Sequence, residues 1–450
     1  MARVAVIGAG VTGLVAALRL ARRGDEPVVF ERWPGLGGMA ATLDVGGGHR
    51  LERYYHHWFT SDRHVLELCD QLGVAIDWLP SSVGFFADGV LHPFTTPLDL
   101  LRFSPLPLAA RLRMGLSVVR LQRFGPPSEA YEGETAEAWV RAHMGAAAWT
   151  RVWQPLMRAK FGERAGEISM SWLHSKLTVR RQVSGREARG EVLGYPRGSF
   201  ESLFAALRDA IAGAGGEVRT DRPAARIAGD GDGRFVVTPG APGSFRTGHD
   251  PREFARGGED ERFDAVLATV PGEVFNALLD DRLAEARVAA VEHRAALCLL
   301  LEIDRQVLPY YWNNIGDASD LRFLGAVEHT NLVAPERYDG RRFLYLANYL
   351  APTDPLLALG PDELLAAYQP GLRRLAGGWS ADWVRERWLF HEPSAQPVVD
   401  VGYRARIPPL ATPVPGLVLA TMAQIWPEDR GTNYAVRLAG EAVEALGARR

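Results

Sequence analysis

The sequence predicts an α/β fold: a domain built on a parallel sheet, with a second domain that divides it along the chain. Three observations predict it. Val4-Ala5-Val6-Ile7 is a short β-branched run that stops at Gly8-Ala9-Gly10-Val11-Thr12-Gly13, after which Leu14, Ala17, Leu18 and Ala21 recur at helical spacing. A second apolar strand, Pro27 to Phe30, follows that helix at the distance expected of a βαβ unit. And 450 residues, 47% hydrophobic and 23% charged, are enough to bury a large core in two domains.

The first strand, turn and helix read as a Rossmann-like dinucleotide site. Gly8 lets the chain leave the strand sharply, Gly10 removes the Cβ that would hold a pyrophosphate off the backbone, and Gly13 lets the helix pack close to the sheet. The amides of Val11, Thr12 and Gly13 then open a helix whose dipole favours negative charge. Glu31, at the end of the second strand, stands where an acid accepts hydrogen bonds from the adenosine ribose; it disfavours a 2′-phosphate, although Arg32 lies beside it. Pro34-Gly35-Leu36-Gly37-Gly38, followed by Met39, supplies a second close approach of backbone to a long, extended cofactor. Gly8 to Gly38 resembles the opening of the FAD-dependent amine oxidase and protoporphyrinogen oxidase superfamily, which also holds phytoene desaturases and, more distantly, UDP-galactopyranose mutase. The resemblance implies a GR2-type flavoprotein with FAD as cofactor, its Rossmann-like FAD domain joined to a discontinuous α+β substrate domain that contains a mixed sheet and a helical insertion.

Composition excludes other classes. A net charge of −3 argues against a nucleic-acid binder, and Cys69 and Cys298 have no metal or disulfide spacing. No metal site is expected. The first strand starts within three residues of Met1 and no run of about 18 apolar residues occurs, so a cytoplasmic protein is the expectation. Lysine occurs only at Lys160 and Lys176 among 51 basic residues. Both lie in one short stretch, which suggests that a compact ammonium is needed there.

Asp44 to Phe59 is dense in glycine, histidine and aromatic residues. Its Tyr55-His56-His57, followed by Ser61-Asp62, resembles a bacterial, uncharacterised protoporphyrinogen-oxidase-like branch of the superfamily. His56 or His57 is a candidate for orienting substrate or moving a proton; neighbours in a strand face opposite ways, so at most one reaches a common site. Leu66 to Val74 reads as a short helix with a glycine stop, and Gly84 to Pro93 as a hairpin around Asp88-Gly89.

From Pro97 the pattern turns helical. Leu98 to Phe124 carries Arg113, Arg120 and Arg123 on one side; a solvated helix is favoured over membrane contact. Residues 97–176 are expected to cap the cofactor, so Trp153, Arg158, Lys160 and Phe161 are candidates for the substrate cavity, with Lys160 the candidate for chemistry. Residues 178–191, with Arg180, Arg181, Arg186 and Arg189, read as a mobile loop able to meet an anionic substrate.

Leu203 to Ile211 is an amphipathic helix and Gly216 to Arg219 starts a strand. The resemblance places the backbone of Val218 at the adenine. Asp230 to Glu261 reads as a long hairpin loop without chemistry, and Phe263 to Pro271 resembles the superfamily's strand behind the cofactor. Leu297 to Ile303, Leu321 to Glu328 and Phe343 to Leu350 are strands of the substrate sheet; by resemblance Tyr311, Asn313, Glu328, His329 and Asn348 are polar anchors for substrate.

The closing stretch, Gly416 to Met422 and Trp426 to Arg437, resembles the superfamily's last strand, acid loop and flavin-facing helix. Met422, Thr432, Asn433 and Tyr434 are thereby cofactor contacts. Thr421-Met422 replaces the usual Gly-Asp, and Asp429 is expected to take over the ribityl contact.

The expected domains are residues 1–85, 194–290 and 390–450 for FAD, and 86–193 and 291–389 for substrate. The implied activity is oxidation or desaturation of a small molecule by hydride transfer to flavin N5, with O2 or another acceptor closing the cycle. The alternatives are a redox-neutral mutase acting on a sugar nucleotide or polyprenyl phosphate, and a flavin-binding protein without turnover.

Overall fold

The computed structural model describes residues 1–183, 191–243, 251–316 and 321–447. Five parallel strands form the first sheet, in the order Glu217–Arg219, Glu26–Phe30, Arg3–Ile7, Ala265–Ala268, Leu417–Leu419. Apart from the edge strand Glu217–Arg219, their sequences are near-continuous apolar runs because both faces are covered. Helices Val11–Arg22, Glu201–Gly213 and Thr432–Gly447 pack on one face through Leu14, Leu18, Leu203, Leu207, Leu438 and Val443. The other face, through Ala5, Val28 and Val266, meets the antiparallel strands Ala224–Gly229, Phe235–Pro239 and Glu261–Phe263. Those strands account for the stretch expected as a hairpin loop; residues 244–250 within it lie outside the described residues.

The second sheet has seven strands in the order Val384–Pro397, His293–Ile303, Arg342–Leu350, Gly325–Glu328, Trp312–Ile315, Val83–Ala87, Val90–Pro93. All its pairs are antiparallel except Trp312–Ile315 with Val83–Ala87. Along His293–Ile303, Leu297, Leu299 and Leu301 face helix Pro361–Leu375, while Cys298 and Leu300 join the core beneath the parallel sheet. That period of two sets the sheet between its two cores. The expected hairpin is present: Asp88 and Gly89 have φ of 51° and 77°, the paired positive values of a type I′ turn.

The insertion is helical, with a core of its own containing Trp139, Trp149, Phe161 and Trp172. The single helix expected over Leu98 to Phe124 is two, Pro97–Arg102 and Leu108–Phe124, because Pro105 and Pro107 cannot continue a helix. Leu108, Leu112, Leu116 and Phe124 stand exposed on it. Helix Met170–Val183 runs into the stretch expected as a loop; residues 184–190, with Arg186 and Arg189, and the side chains of Arg180 and Arg181 lie outside what is described.

Helix Arg63–Leu72 ends on Gly73 at φ 68°, the glycine stop read from sequence. The domain boundaries expected at 85 and 390 fall inside strands Val83–Ala87 and Val384–Pro397. Among the described residues no helix is long and apolar enough to cross a membrane.

Candidate functional site

The first half of the site is a seam of glycines. Arg3–Ile7 ends at Gly8, whose φ of 101° favours glycine. A Cβ on Gly13 would lie 2.0 Å from the Gly8 carbonyl oxygen, so the first helix sits closer to the turn than any other residue permits. Gly10 bridges to Gly37, and the Gly37 amide donates to the Ala9 carbonyl at 2.8 Å. A Cβ on Gly38 would stand 3.1 Å from Gly10 Cα. The two glycine loops thus meet backbone to backbone, a cradle without side chains. Helix Val11–Arg22 has no side-chain cap and no acid in its first turn, which leaves its leading amides, those of Val11, Thr12 and Gly13, suited to a phosphate.

Glu31 closes the far end of this seam. Its buried carboxylate accepts from the Ala9 amide at 2.7 Å and the Trp33 amide at 2.9 Å. Burial raises its pKa above the ordinary carboxylate value, and the two amides oppose that rise. Arg32 is turned to Glu392, 3.9 Å away. Val218 lies in the edge strand opposite Val29. Met39 lies in the short turn Gly38–Ala40, and Met422 opens the turn Met422–Gln424, which Thr421 caps. Thr432 Oγ1 accepts from Trp58 Nε1 at 2.7 Å, buried Asn433 accepts from the Val65 amide at 3.3 Å, and Tyr434 lies 5.0 Å under Arg437.

The second half is a polar cluster where helix Gln154–Phe161, helix Met170–Val183 and the loop before Thr432–Gly447 meet. Both lysines of the chain are in it. Lys160 Nζ and Lys176 Nζ each lie 2.5 Å from Asp429 Oδ2, and the Trp172 indole donates to Oδ1 at 3.3 Å. The ammonium groups also stand 5.1 and 5.6 Å from the Trp172 ring centroid. Asp429 is held well below the usual carboxylate range by Lys160, Lys176 and Arg430, against its burial. Burial pulls Lys160 down to about 7, against the attraction of Asp429 and with the help of Lys176 and Arg430. A π-helical turn, Trp149–Trp153, leads directly into the helix that carries Lys160. Arg430 donates to the Tyr349 hydroxyl and acts electrostatically on Tyr55 and His56.

His56 and His57 lie in an irregular segment between strands His49–Glu52 and Trp58–Phe59, and they do face different partners. His56 Nδ1 lies 2.6 Å from the Tyr54 carbonyl, which fixes the proton on Nδ1 and leaves Nε2 as an acceptor. Desolvation pulls its pKa down to about 4, so it is neutral at physiological pH. His57 Nδ1 sits 3.0 Å from the Tyr311 hydroxyl, amid Phe59, Tyr311 and Trp312. Beneath both, fully buried Glu52 accepts from Tyr195 at 2.8 Å and from the Phe200 amide at 2.9 Å; burial raises it to about 7.

Several expected contacts are engaged elsewhere. Asp429, expected on the ribityl chain, binds both lysines through Oδ2 and accepts from the Trp172 indole at Oδ1. Asn313 donates to the Tyr310 and Ala326 carbonyls, Glu328 accepts from the Val307 and Leu308 amides, His329 pairs with Tyr338 at 2.8 Å, and Asn348 donates to Arg322 and Tyr368. These four are buried side chains that tie the sheet to its neighbours, and the Oδ1 atoms of Asn313 and Asn348 are buried without a hydrogen-bond partner. Phe161 is core, edge-on to Trp172 at 5.0 Å; Trp153 packs against the same core; Arg158 is exposed. Sequence reasoning missed Arg430, Tyr349 and Trp172. The scarcity of lysine did point to the place.

The model of the flavin containing amine oxidoreductase family matches residues 11–439. Solved structures share the fold. One is a protein from Exiguobacterium sp. 255-15 whose assignment as a protoporphyrinogen oxidase is itself provisional: 19% identity, 100% of this chain and 99% of that one, TM-score 0.73. A reduced UDP-galactopyranose mutase aligns at 15% identity over 100% and 96%, TM-score 0.71. Putrescine oxidase bound to putrescine aligns at 14% identity over 100% and 99%, TM-score 0.68. At these identities the likeness is one of fold.

Proposed function

The chain belongs to the flavin-containing amine oxidoreductase family, and on that premise we propose that it is an FAD-dependent oxidoreductase that oxidises or desaturates a small molecule by hydride transfer to flavin N5. O2 or another acceptor would close the cycle. The observation that carries the FAD reading is the glycine seam ending at buried Glu31, a surface that a Cβ at Gly13 or Gly38 would obstruct.

The residues present suit that cofactor. Amides of Val11, Thr12 and Gly13 would hold the pyrophosphate, Glu31 the ribose and the Val218 backbone the adenine. Gly37, Gly38, Met39 and the Thr432-Asn433-Tyr434 helix start would hold the ring end. The flavin supplies the hydride acceptor when bound; the protein supplies position and charge. His56, neutral and with Nε2 free of its own backbone, can accept a hydrogen bond from a substrate N–H or O–H and orient it. Lys160, poised near neutrality, can hold or release a proton at Nζ. His57 is oriented by Tyr311 and acts through the aromatic wall.

The test is an anaerobic visible spectrum of the holoenzyme with separate pools of amines, sugar nucleotides and isoprenoid phosphates. Bleaching of the flavin band by one pool supports substrate oxidation. Conversion that requires prior reduction of the flavin would replace this reading with the redox-neutral mutase. A flavin that no pool bleaches, with no conversion in either state, would leave the binding protein.

A further inference from the structure

We propose that Lys160, Lys176 and Arg430 form a subsite for an anionic oxygen group of the substrate, a phosphate or a carboxylate, and that the cluster turns protonated amines away. This rests on the oxidoreductase reading and names the substrate class for the same site.

The first ground is charge. Lys160 and Lys176 bind one carboxylate, Asp429, and Arg430 acts on it electrostatically, so below about pH 7 three cations face a single bound anion. Asp62 feels Lys176 electrostatically, but its Oδ2 is turned to the Phe59 amide at 2.9 Å. Glu428 is paired with Arg437 at 2.6 Å and Glu392 faces Arg32 at 3.9 Å, while the Tyr349 hydroxyl, the Trp172 indole and the neutral His56 ring bring no negative charge. The surplus is sheltered: the Lys160 and Asp429 side chains retain 18% and 15% exposure. A group of cations held partly out of water is stabilised by an anion and destabilised by another cation.

The second ground is unfilled valence. Each ammonium has three donors, and the lysines share a single oxygen, Asp429 Oδ2. Arg430 Nε is buried without a hydrogen-bond partner, although the rest of its guanidinium reaches Tyr349. A buried unpaired donor is unfavourable unless something binds it. Donors from two helices and a loop therefore remain for a ligand with several acceptor oxygens. Lys176, 43% exposed, gives that ligand a way in.

The third ground is composition. A chain that uses arginine elsewhere keeps its two lysines here, on one oxygen. Compact ammonium groups fit side by side against the face of Trp172 where two forked guanidinium groups would not.

Calorimetric titration of the holoenzyme with inorganic diphosphate, acetate and putrescine tests this without turnover, so its result stands apart from whether any substrate bleaches the flavin. Diphosphate or acetate should bind saturably, and putrescine should give no binding heat. Tighter binding of diphosphate assigns a phosphate-bearing substrate; tighter binding of acetate assigns a carboxylate. Lys176→Gln should weaken the bound anion by about tenfold or more, the effect of one charge-assisted hydrogen bond. Asp429 keeps Lys160 in that variant, and an unchanged flavin spectrum confirms its fold. The proposal is overturned if neither anion binds at tens of millimolar, if Lys176→Gln binds them as the parent does, or if putrescine binds saturably. Failure of the anions alone would mean that the surplus charge serves the reduced flavin instead.

Discussion

Replacing Asp429 by Asn removes the one carboxylate bound in the cluster while keeping its shape. In the parent, Oδ2 lies 2.5 Å from both ammonium groups and Oδ1 3.3 Å from the Trp172 indole. Breaking a buried ion pair by removing one partner costs about 3–5 kcal/mol. Lys176, 43% exposed, regains hydration and contributes little of this, so the loss belongs mainly to Lys160. That lysine has an escape. Its pKa already lies at about 7, with Asp429 raising it and Lys176 and Arg430 lowering it; without Asp429 it falls further, each unit being about 1.4 kcal/mol. Below the variant's pKa both native states carry the proton; between that value and about 7 only the parent does. The parent's advantage therefore shrinks as pH rises through this window.

We expect a loss of about 3 kcal/mol at pH 6 and a smaller one at pH 8. Urea unfolding of the holoenzyme, followed by tryptophan fluorescence, reads it. With m of about 3 kcal/mol/M the midpoint should drop by about 1 M at pH 6. A parental midpoint at pH 6, or a penalty that grows with pH, would refute the argument.

Other outcomes follow from the same geometry. Gly13→Ala drives a methyl to 2.0 Å from the Gly8 carbonyl, so the purified protein should be nearly colourless at 450 nm; full flavin content would contradict the seam. Glu31→Ala removes the acceptor of the buried Ala9 amide, about 1–3 kcal/mol, and should lower both melting temperature and flavin retention. Lys160→Met should flatten any inflection near pH 7 in the rate of flavin reduction, and should cost less stability than Asp429→Asn because Asp429 keeps Lys176 and the Trp172 indole. A retained inflection would assign it to another group. His56→Phe removes the Nε2 acceptor and should slow reduction by about 10²-fold without adding or removing an inflection above pH 5, since the parent ring is neutral there.

The glycine seam was legible because it is local: three glycines, a strand and a helix are contiguous, and their spacing is the geometry. So were the Asp88-Gly89 hairpin and the Gly73 helix stop, whose turn chemistry resides in the residues themselves. The strand Val384–Pro397 was not expected, since its polar outward positions break the apolar run and its partner is nearly a hundred residues earlier. Helix Pro361–Leu375 carries Pro370 inside it, a residue that argues against a helix unless tertiary packing overrides it. At the site, Asn313, Glu328, His329 and Asn348 read as substrate anchors because polar residues in a sheet look functional until their partners are known. Those partners are backbone groups and tyrosines that no pattern along the chain reveals. Lys160 and Lys176 were visible through scarcity, but Asp429 lies more than 250 residues away, and only the fold shows that the three form one object.

The parallel sheet has a bearing on how the protein is made. Its central strand, Arg3–Ile7, leaves the ribosome first, yet its neighbour Ala265–Ala268 comes far later and the edge strand Leu417–Leu419 later still. At about 5–20 residues per second, roughly 20–80 s separate the first strand from the last. Once made, the apolar Ala265–Ala268 edge stays unpaired for roughly 7–30 s until Leu417–Leu419 follows, which leaves it open to wrong partners. The phosphate cradle exists early, but the wall opposite it, with Asp429 and the helix beginning at Thr432, does not. Loading of the cofactor is consequently a late event in biogenesis, and truncations or ribosomal stalls before Leu417 should yield colourless, aggregation-prone protein instead of a weakened enzyme.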